Sequence, residues 1–472
     1  MSIADIGLIG LAVMGSNLAL NIAEKGYRIA VHNRTASRID EFMVAAREQG
    51  LDGKVVPQAE LAGFIQAIKR PRSVIIMVKA GKPVDEMIEQ LFPHLEKGDA
   101  ILECGNSLYT DTDRRFAYLA EKGIGYLGIG VSGGEEGARH GPSIMVGGSK
   151  EQWHNAEPIL TAIAAKFNGE SCCAYLGEGG AGHFVKTIHN GIEYGDMQMI
   201  AEIYGVMRDG LGMNPLAASE VFKEWNKGPL NSYLIEITGH VLAAIEPETG
   251  KPLVELILDQ AGQKGTGVWS AVAAQMLGVP ATAIEGAVAA RSISSRKDER
   301  VAAEAVYGKR VGGKSDVSLA DLEKALLAGK IVSYAQGFAV MQKASEENGW
   351  TLPLATIARI WRAGCIIRSR FLDQMSAAYA KGGATNLMMV PDFVTIMKDA
   401  HLSLRKIVAA GAIGEVPLIC LSASLAYFDS YRQGLGTASL TQGQRDFFGA
   451  HGFILIDRQG EQHGKWPSTL GK

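Results

Sequence analysis

No run of apolar residues in this 472-residue sequence approaches the roughly 20 that a membrane-spanning helix requires. Excess charge is also missing. The 47 lysines and arginines stand against 50 acidic residues, and a formal net charge of −3 gives no pull toward nucleic acid or a membrane surface. Cysteine is scarce: the five present show neither metal-ligand spacing nor a disulfide framework, and Cys172-Cys173 reads as two free thiols. The opening residues Met1, Ser2, Ile3, Ala4 and Asp5 have no basic stretch leading into an apolar one, so no secretory signal is expected. Together these absences point to the cytoplasm.

What remains is the profile of a globular chain, 47% hydrophobic and 21% charged. The length is too great for one ordinary core, so two or three domains are expected. The first third alternates short apolar runs with amphipathic stretches. Candidate strands are Asp5–Ile9, Arg28–His32, Ser73–Val78, Ala100–Glu103 and Gly125–Val131, with helical patterns beginning near Gly15 and Lys82. That alternation predicts a parallel, doubly wound sheet. After the cluster Gly177, Gly179, Gly180, Gly182 the chain turns rich in Ala, Leu, Ile and Met at helical spacing. The last 35 or so residues are more polar and read as an extended tail. The expected architecture is an α/β Rossmann-type N-terminal domain (1–180), a large all-α domain (181–435) and a short C-terminal tail (436–472). Within the helical part, Glu220–Gly228 echoes Thr356–Gly364, with a Trp and a Gly in matching places, which suggests an internal helical repeat.

The first candidate strand runs into Gly10-Leu11-Ala12-Val13-Met14-Gly15, a G-x-A-x-x-G form of the dinucleotide fingerprint. Gly10 permits a sharp turn off the strand, Ala12 is small enough for backbone to approach a pyrophosphate, and Gly15 lets the helix pack close to the sheet. The second strand ends in His32-Asn33-Arg34-Thr35. A site for NAD usually places an acid there to hold the ribose 2′-hydroxyl. Here Arg34 can stack on adenine and pair with a 2′-phosphate, with Asn33 and Thr35 adding hydrogen bonds, which favours NADP.

The most informative stretch is Lys186–Tyr194. At about 100° per residue, Lys186, His189, Asn190 and Glu193 fall on one helix face and Tyr194 at its edge. Apolar flanks predict that the rest of this helix is buried, where a cation and an acid are costly unless satisfied. Gly191 inside the helix suggests that something presses close against it. Removing hydride from an alcohol carbon requires a base for the hydroxyl proton. A lysine, ordinarily near pKa 10.4, becomes one when burial lowers that value. Lys186 is the expected base, and Glu193 the expected acid for a later protonation.

These motifs resemble those of the 6-phosphogluconate dehydrogenase family, within the β-hydroxyacid dehydrogenases. The similarity runs in order through Gly10–Gly15, Asn33–Thr35, Val131–Arg139, Lys186–Tyr194, Lys264–Gly267, Arg291, Lys297–Arg300 and Gln444–His451. The resemblance implies oxidative decarboxylation of 6-phospho-D-gluconate to ribulose 5-phosphate and carbon dioxide with NADP, in the oxidative pentose phosphate pathway. It implies a homodimer whose tail reaches the partner subunit. Lys186 would serve as base and then acid, and Glu193 as the acid at C1. Asn106, Ser132, Gly133, Gly134, His189 and Asn190 would hold the sugar acid. Tyr194, Lys264, Thr266, Arg291 and the tail's Arg445 would hold the phosphate, with His451 touching the substrate. Val78, Lys79, Ala80 and Asn106 would border the nicotinamide ribose. The chain departs from the family's pattern at Cys104, Val268 and Val146. Two other functions fit the nucleotide motif alone: a shorter β-hydroxyacid dehydrogenase such as 3-hydroxyisobutyrate dehydrogenase, or an NADP-binding sensor without turnover.

Overall fold

The computed structural model describes residues 3–263, 265–309, 316–382 and 386–466. Residues up to Ser424 form one compact unit and those from Leu425 onward another.

The first unit begins with eight strands in one sheet. They are β1 (Ile6–Ile9), β2 (Ile29–His32), β3 (Val55–Pro57), β4 (Ser73–Ile76), β5 (Ala100–Glu103), β6 (Gly125–Val131), β7 (Ile144–Gly148) and, after a small hairpin of β8 (Lys166–Phe167) and β9 (Glu170–Ser171), β10 (Cys173–Gly177). Their order is β10-β7-β6-β5-β4-β1-β2-β3. The connection between β3 and β4 returns the chain past β1, so β1 and β4 lie side by side and a crevice opens at their carboxyl ends, where ligands of such sheets bind. All five strands expected from the sequence form. The sheet is not wholly parallel, however: β7 runs antiparallel to β6, to which the short helix Gly134–His140 connects it.

Side chains alternate between two cores. Leu8, Val31, Ile75, Leu102 and Leu127 face one, under the helices that carry Leu18, Phe42 and Trp153. Ile9, Ala30, Ile76 and Ile101 face the other, under Phe64, Ile88 and Leu119. Burial on both faces explains why these strands read as continuous apolar runs.

From Ala181 to Ser424 the regular structure of the described residues is helical, joined by loops and by isolated bridges such as Ser232 with Ser369. Two long helices, Ala181–Gly205 and Leu319–Glu347, cross antiparallel at its centre. A Cβ on Gly195 would stand 2.6 Å from Ser333 Oγ, and one on Gly337 2.6 Å from Ile192 Cδ1, so small residues let the two backbones approach. The sequence echo has a structural counterpart. Each long helix is followed by a shorter one ending at a buried tryptophan, Pro215–Trp225 or Leu354–Ile360 with Trp361, and then by Tyr233–Ala243 or Phe371–Ala380. The connecting segments pair: Tyr233 N–H donates to the Arg368 carbonyl at 3.1 Å and Arg370 N–H to that of Asn231 at 3.0 Å. Among the described residues no helix is long and apolar enough to cross a membrane.

The second unit is more ordered than an extended tail. It contains the helix Ala438–Gly449 and the two-stranded pair β11 (Phe453–Ile454) and β12 (Glu461–Gln462). The buried carboxylate of Asp446 organises it, accepting from Gly452 N at 2.9 Å, Gly464 N at 2.8 Å, Trp466 Nε1 at 2.8 Å and His463 Nδ1 at 2.7 Å. Those four donors substitute for an apolar core in a segment that has little apolar material.

The N-terminal half of Ala181–Gly205 lies directly on β6 and β7. A Cβ on Gly182 would stand 2.4 Å from the Gly128 oxygen, and one on Gly130 would stand 2.4 Å from Lys186 Cβ. Gly130→Val should therefore overpack this seat and cost about 1–3 kcal/mol, measured as a lower urea midpoint at unchanged slope. An unchanged midpoint would show that the helix does not depend on this contact.

Candidate functional site

At the crevice end, the sequence dictates a turn that only glycine allows. Gly10 has φ +102°, and a Cβ there would stand 2.4 Å from the Met77 oxygen. The helix Val13–Glu24 follows, with Ala12 at its N-cap and no side chain capping it, so its first N–H groups are free for an anion. Gly15 packs against the Gly10 carbonyl. Met14 is half-buried behind the turn. Asn33 does something the sequence did not reveal. Its Oδ1 accepts from Leu11 N–H at 3.0 Å and its Nδ2 donates to the Thr35 carbonyl at 3.1 Å, so it ties the glycine turn to the end of β2. Arg34 and Thr35 are exposed beside it, with no acid following β2 until Asp40. At the ends of β4 and β5, Val78 and Ala80 are half-buried, and Lys79 and Asn106 are exposed. Cys104 points away from this edge into the core, with Leu102 and Leu127, and burial pushes its thiol well above the ordinary range.

The second cluster is built on Ala181–Gly205 where that helix leaves the sheet. Lys186 Nζ donates to Ser132 Oγ at 3.1 Å, and Ser132 Oγ lies 3.2 Å from His189 Nε2. His189 Nδ1 lies 3.3 Å from Asn190 Oδ1 and 3.8 Å from Glu193 Oε2. One assignment satisfies the chain: a neutral imidazole with its proton on Nδ1 donates to Asn190 and accepts from the serine hydroxyl. Burial and the neighbouring Lys186 charge depress His189 well below its ordinary range, which fits that neutral form. Burial likewise lowers Lys186, against the opposing pull of Glu193 and Cys365. Burial raises Glu193, against Lys186 and Arg291, with Asp196 adding to the rise. The helix thus favours a lysine that can accept a proton and a carboxyl that can give one.

Ser132 enters from the end of β6, and Gly133 after it has φ +104°. A Cβ on Gly133 would stand 2.6 Å from the Gly364 oxygen, so this turn is pressed between sheet and helical region. Gly134 follows, also at positive φ. On the other side, the helix Thr266–Met276 packs on the site helix and explains Gly191. A Cβ at Gly191 would stand 2.3 Å from Ser270 Oγ, so the close neighbour is another helix. Thr266 is buried at its first turn. The Arg291 guanidinium lies 3.7 Å over the Tyr194 ring, which holds it near Glu193. Lys264 lies outside the described residues. Arg445 and His451 belong to the second unit, where Arg445 is exposed and donates to Gln442 Oε1 at 3.1 Å, and His451 meets Phe448 edge-on at 5.8 Å.

Several neighbours escaped the sequence reading. Trp361 is fully buried, stands edge-on to His189 at 5.3 Å, and marked itself only through the internal repeat. The Cys365 thiol, 3.0 Å from the Trp361 carbonyl oxygen, is pushed up to about 12 by burial. Asp196 continues the polar stripe three residues past Glu193, and the stripe's spacing could have found it. Its partner Lys330, 2.6 Å away and equally buried, sits on the other long helix with no local signal.

Two family models match the chain: the NAD binding domain of 6-phosphogluconate dehydrogenase over residues 5–177 and the 6-phosphogluconate dehydrogenase C-terminal domain over residues 182–466. A Bacillus subtilis protein named 6-phosphogluconate dehydrogenase, NADP(+)-dependent, decarboxylating is 47% identical over 99% of this chain and 100% of its own. The NAD(+)-dependent enzyme of the same organism is also 47% identical, over 98% and 99%. The structure of Plasmodium falciparum 6-phosphogluconate dehydrogenase, studied in its apo form, with its cofactor NADP+ and with its substrate 6-phosphogluconate, superposes with a TM-score of 0.95. It is 44% identical and covers 98% of this chain and 100% of that one.

The buried lysine has a consequence for stability. Its folded pKa lies below the ordinary value of 10.5, so the unfolded chain binds more protons between the two values and stability rises with pH there. The cost is fully present below the folded value and vanishes as pH approaches 10.5. Lys186→Met should therefore melt at a higher temperature than the wild type at pH 7, with the gap narrowing as the pH is raised. A variant that melts lower across the whole range would contradict the direction of the shift.

Proposed function

The chain belongs to the 6-phosphogluconate dehydrogenase family, and on that footing we propose how its residues carry out the family's reaction. The enzyme oxidises 6-phospho-D-gluconate and releases carbon dioxide and D-ribulose 5-phosphate, with reduction of NADP to NADPH. The single observation that carries the assignment of roles is the hydrogen-bonded chain Lys186–Ser132–His189 beside Glu193, with the lysine shifted down and the carboxyl shifted up.

NADP, when bound, supplies the nicotinamide carbon that accepts hydride from C3 of the sugar acid. The glycine turn and the uncapped helix start at Ala12 fit its pyrophosphate, and exposed Arg34, with no acid at the end of β2, fits a 2′-phosphate. Overall identity to the NADP and NAD enzymes of one bacterium is equal, so this local chemistry decides. Asn33 and Thr35 add hydrogen bonds there, and Asn33 also holds the turn. Val78, Lys79, Ala80 and Asn106 border the nicotinamide ribose.

Lys186 takes the C3 hydroxyl proton as hydride leaves. It returns that proton to the C3 oxygen while the carboxylate departs as carbon dioxide and the bonding electrons form an enediol. Glu193 then protonates C1 of the enediol while Lys186 takes the proton back from the adjoining hydroxyl, which becomes the carbonyl of ribulose 5-phosphate. Asn106, Ser132, Gly133, Gly134, His189 and Asn190 hold the sugar acid. Tyr194, Lys264, Thr266 and Arg291 hold the phosphate, joined by Arg445 and His451 from the tail of a partner subunit. Five free and buried cysteines suit a reducing compartment, and we place the enzyme in the cytoplasm. The shorter β-hydroxyacid dehydrogenases and a sensor without turnover lose ground to matches that run the full chain and to an intact polar stripe.

Turnover of 6-phosphogluconate with NADP should yield NADPH and carbon dioxide together. Lys186→Met should lower the rate by about a thousandfold or more, and Glu193→Gln by about a hundredfold. The glutamine variant should also lose solvent proton exchange at C1 of ribulose 5-phosphate. Exchange at the wild-type rate would remove Glu193 from that role.

The tail's action in trans is tested by mixing. Variants lacking Lys186 or Arg445, each nearly inactive, are unfolded and refolded together. A reciprocal exchange puts both lesions in one site of each mixed dimer and none in the other, so activity should return to about a quarter of wild type. No recovery in confirmed mixed dimers would mean that each tail serves its own subunit.

A further inference from the structure

Arg115 is fully buried on the helix Tyr109–Ala120, and every part of its guanidinium is engaged within the protein. Nε donates to Asp85 Oδ1 at 2.8 Å, and Nη2 to Asp85 Oδ2 at 3.2 Å and to the Gly81 carbonyl at 3.1 Å. Nη1 faces Glu103 Oε2 at 3.4 Å and Ser107 Oγ at 3.5 Å. Glu103 is as buried as the arginine and accepts from Ser107 and from the Tyr126 hydroxyl. A buried ion pair of this kind contributes little net stability, and its worth lies in the geometry it imposes.

That geometry is specific. Gly81 closes the loop after β4 that carries Val78, Lys79 and Ala80. Glu103 and Ser107 flank the loop after β5 that carries Asn106. The same helix also presents Thr112, whose Oγ1 is 2.7 Å from His183 Nδ1, and His183 stands one turn before Lys186 on the site helix. One guanidinium therefore joins both loops at the nicotinamide end, and its helix joins them to the helix of the base.

We propose that Arg115 is a positioning residue for hydride transfer, clamping the loops at Val78–Gly81 and Cys104–Ser107 at a set distance from Lys186. With all its donors spent inside the protein, it acts through those loops and not on a ligand. The inference rests on the reading of these loops as the nicotinamide border.

Three quantities test it: single-turnover NADPH formation, the deuterium effect with substrate labelled at C3, and affinity for adenosine 2′,5′-bisphosphate, which occupies only the adenine half. Arg115→Lys keeps the charge but cannot span both loops; Asp85→Asn loosens the clamp from its partly exposed side. Hydride transfer should slow by about tenfold to a hundredfold in Arg115→Lys and by less in Asp85→Asn. The full deuterium effect should be expressed, and affinity for the bisphosphate should stay within about twofold. If Arg115→Lys does not fold, judged by circular dichroism and melting, Asp85→Asn decides on the same readouts. A folded variant with wild-type hydride transfer overturns the inference, as does affinity for the bisphosphate falling in step with the rate. A wild-type protein that forms no NADPH from 6-phosphogluconate would instead refute the functional reading itself.

Discussion

The contact on which the rest of this structure depends is the seat of the Ala181–Gly205 helix on strands β6 and β7. Backbone meets backbone there because Gly128, Gly130 and Gly182 present no side chains to keep them apart. The close seat brings Lys186 beside Ser132, which enters from the end of β6. Past the sheet, the same helix runs into the helical array and meets Leu319–Glu347 through Gly195 and Ser333. One helix thus carries the reactive groups from an edge set by the sheet to walls set by the helices. A rigid element spanning both regions holds Lys186 and Glu193 more closely than loops could.

Placing charge in that seat opposes folding. Lys186, His189, Glu193 and Asp196 share one face of a largely buried helix, and burial pushes each toward its neutral form. Partial pairing offsets the cost: Ser132 accepts a hydrogen bond from the lysine, Asn190 one from the imidazole, and Lys330 pairs with Asp196. What stays unbalanced is the part useful for chemistry, since a fully satisfied Lys186–Glu193 pair would remain ionised and move no proton.

The two ends of the site are held by different means. At the nucleotide end the holding groups are backbone, the Gly10 turn and the helix start at Ala12, with the Asn33 side chain tying that turn to the end of β2. Behind the loops that follow β4 and β5 they are charges, the buried Arg115 and Glu103 with the half-buried Asp85. In the second unit a single carboxylate, Asp446, gathers four donors around the helix that bears Arg445. Each device suits its material: glycine where a ligand needs backbone, ion pairs where two loops need one distance, and a hydrogen-bonded acid where apolar surface is short.

The sequence by itself determined what repeats at short range. The strand-turn-helix with its glycines, the absence of an acid beside Arg34, and the stripe from Lys186 to Glu193 are set by periodicities of two and 3.6 residues. Local geometry reads those directly. It determined less where the partner comes from far along the chain. Only folding ties the Asn33 side chain to Leu11, identifies Ser270 as what presses close on Gly191, and turns Cys104 into the core. The reversal of β7, the pairing of Lys330 with Asp196, and the clamp made by Arg115 belong wholly to the tertiary structure. Contacts between residues tens to hundreds of positions apart leave no period in one sequence, because each depends on how two separately formed elements pack.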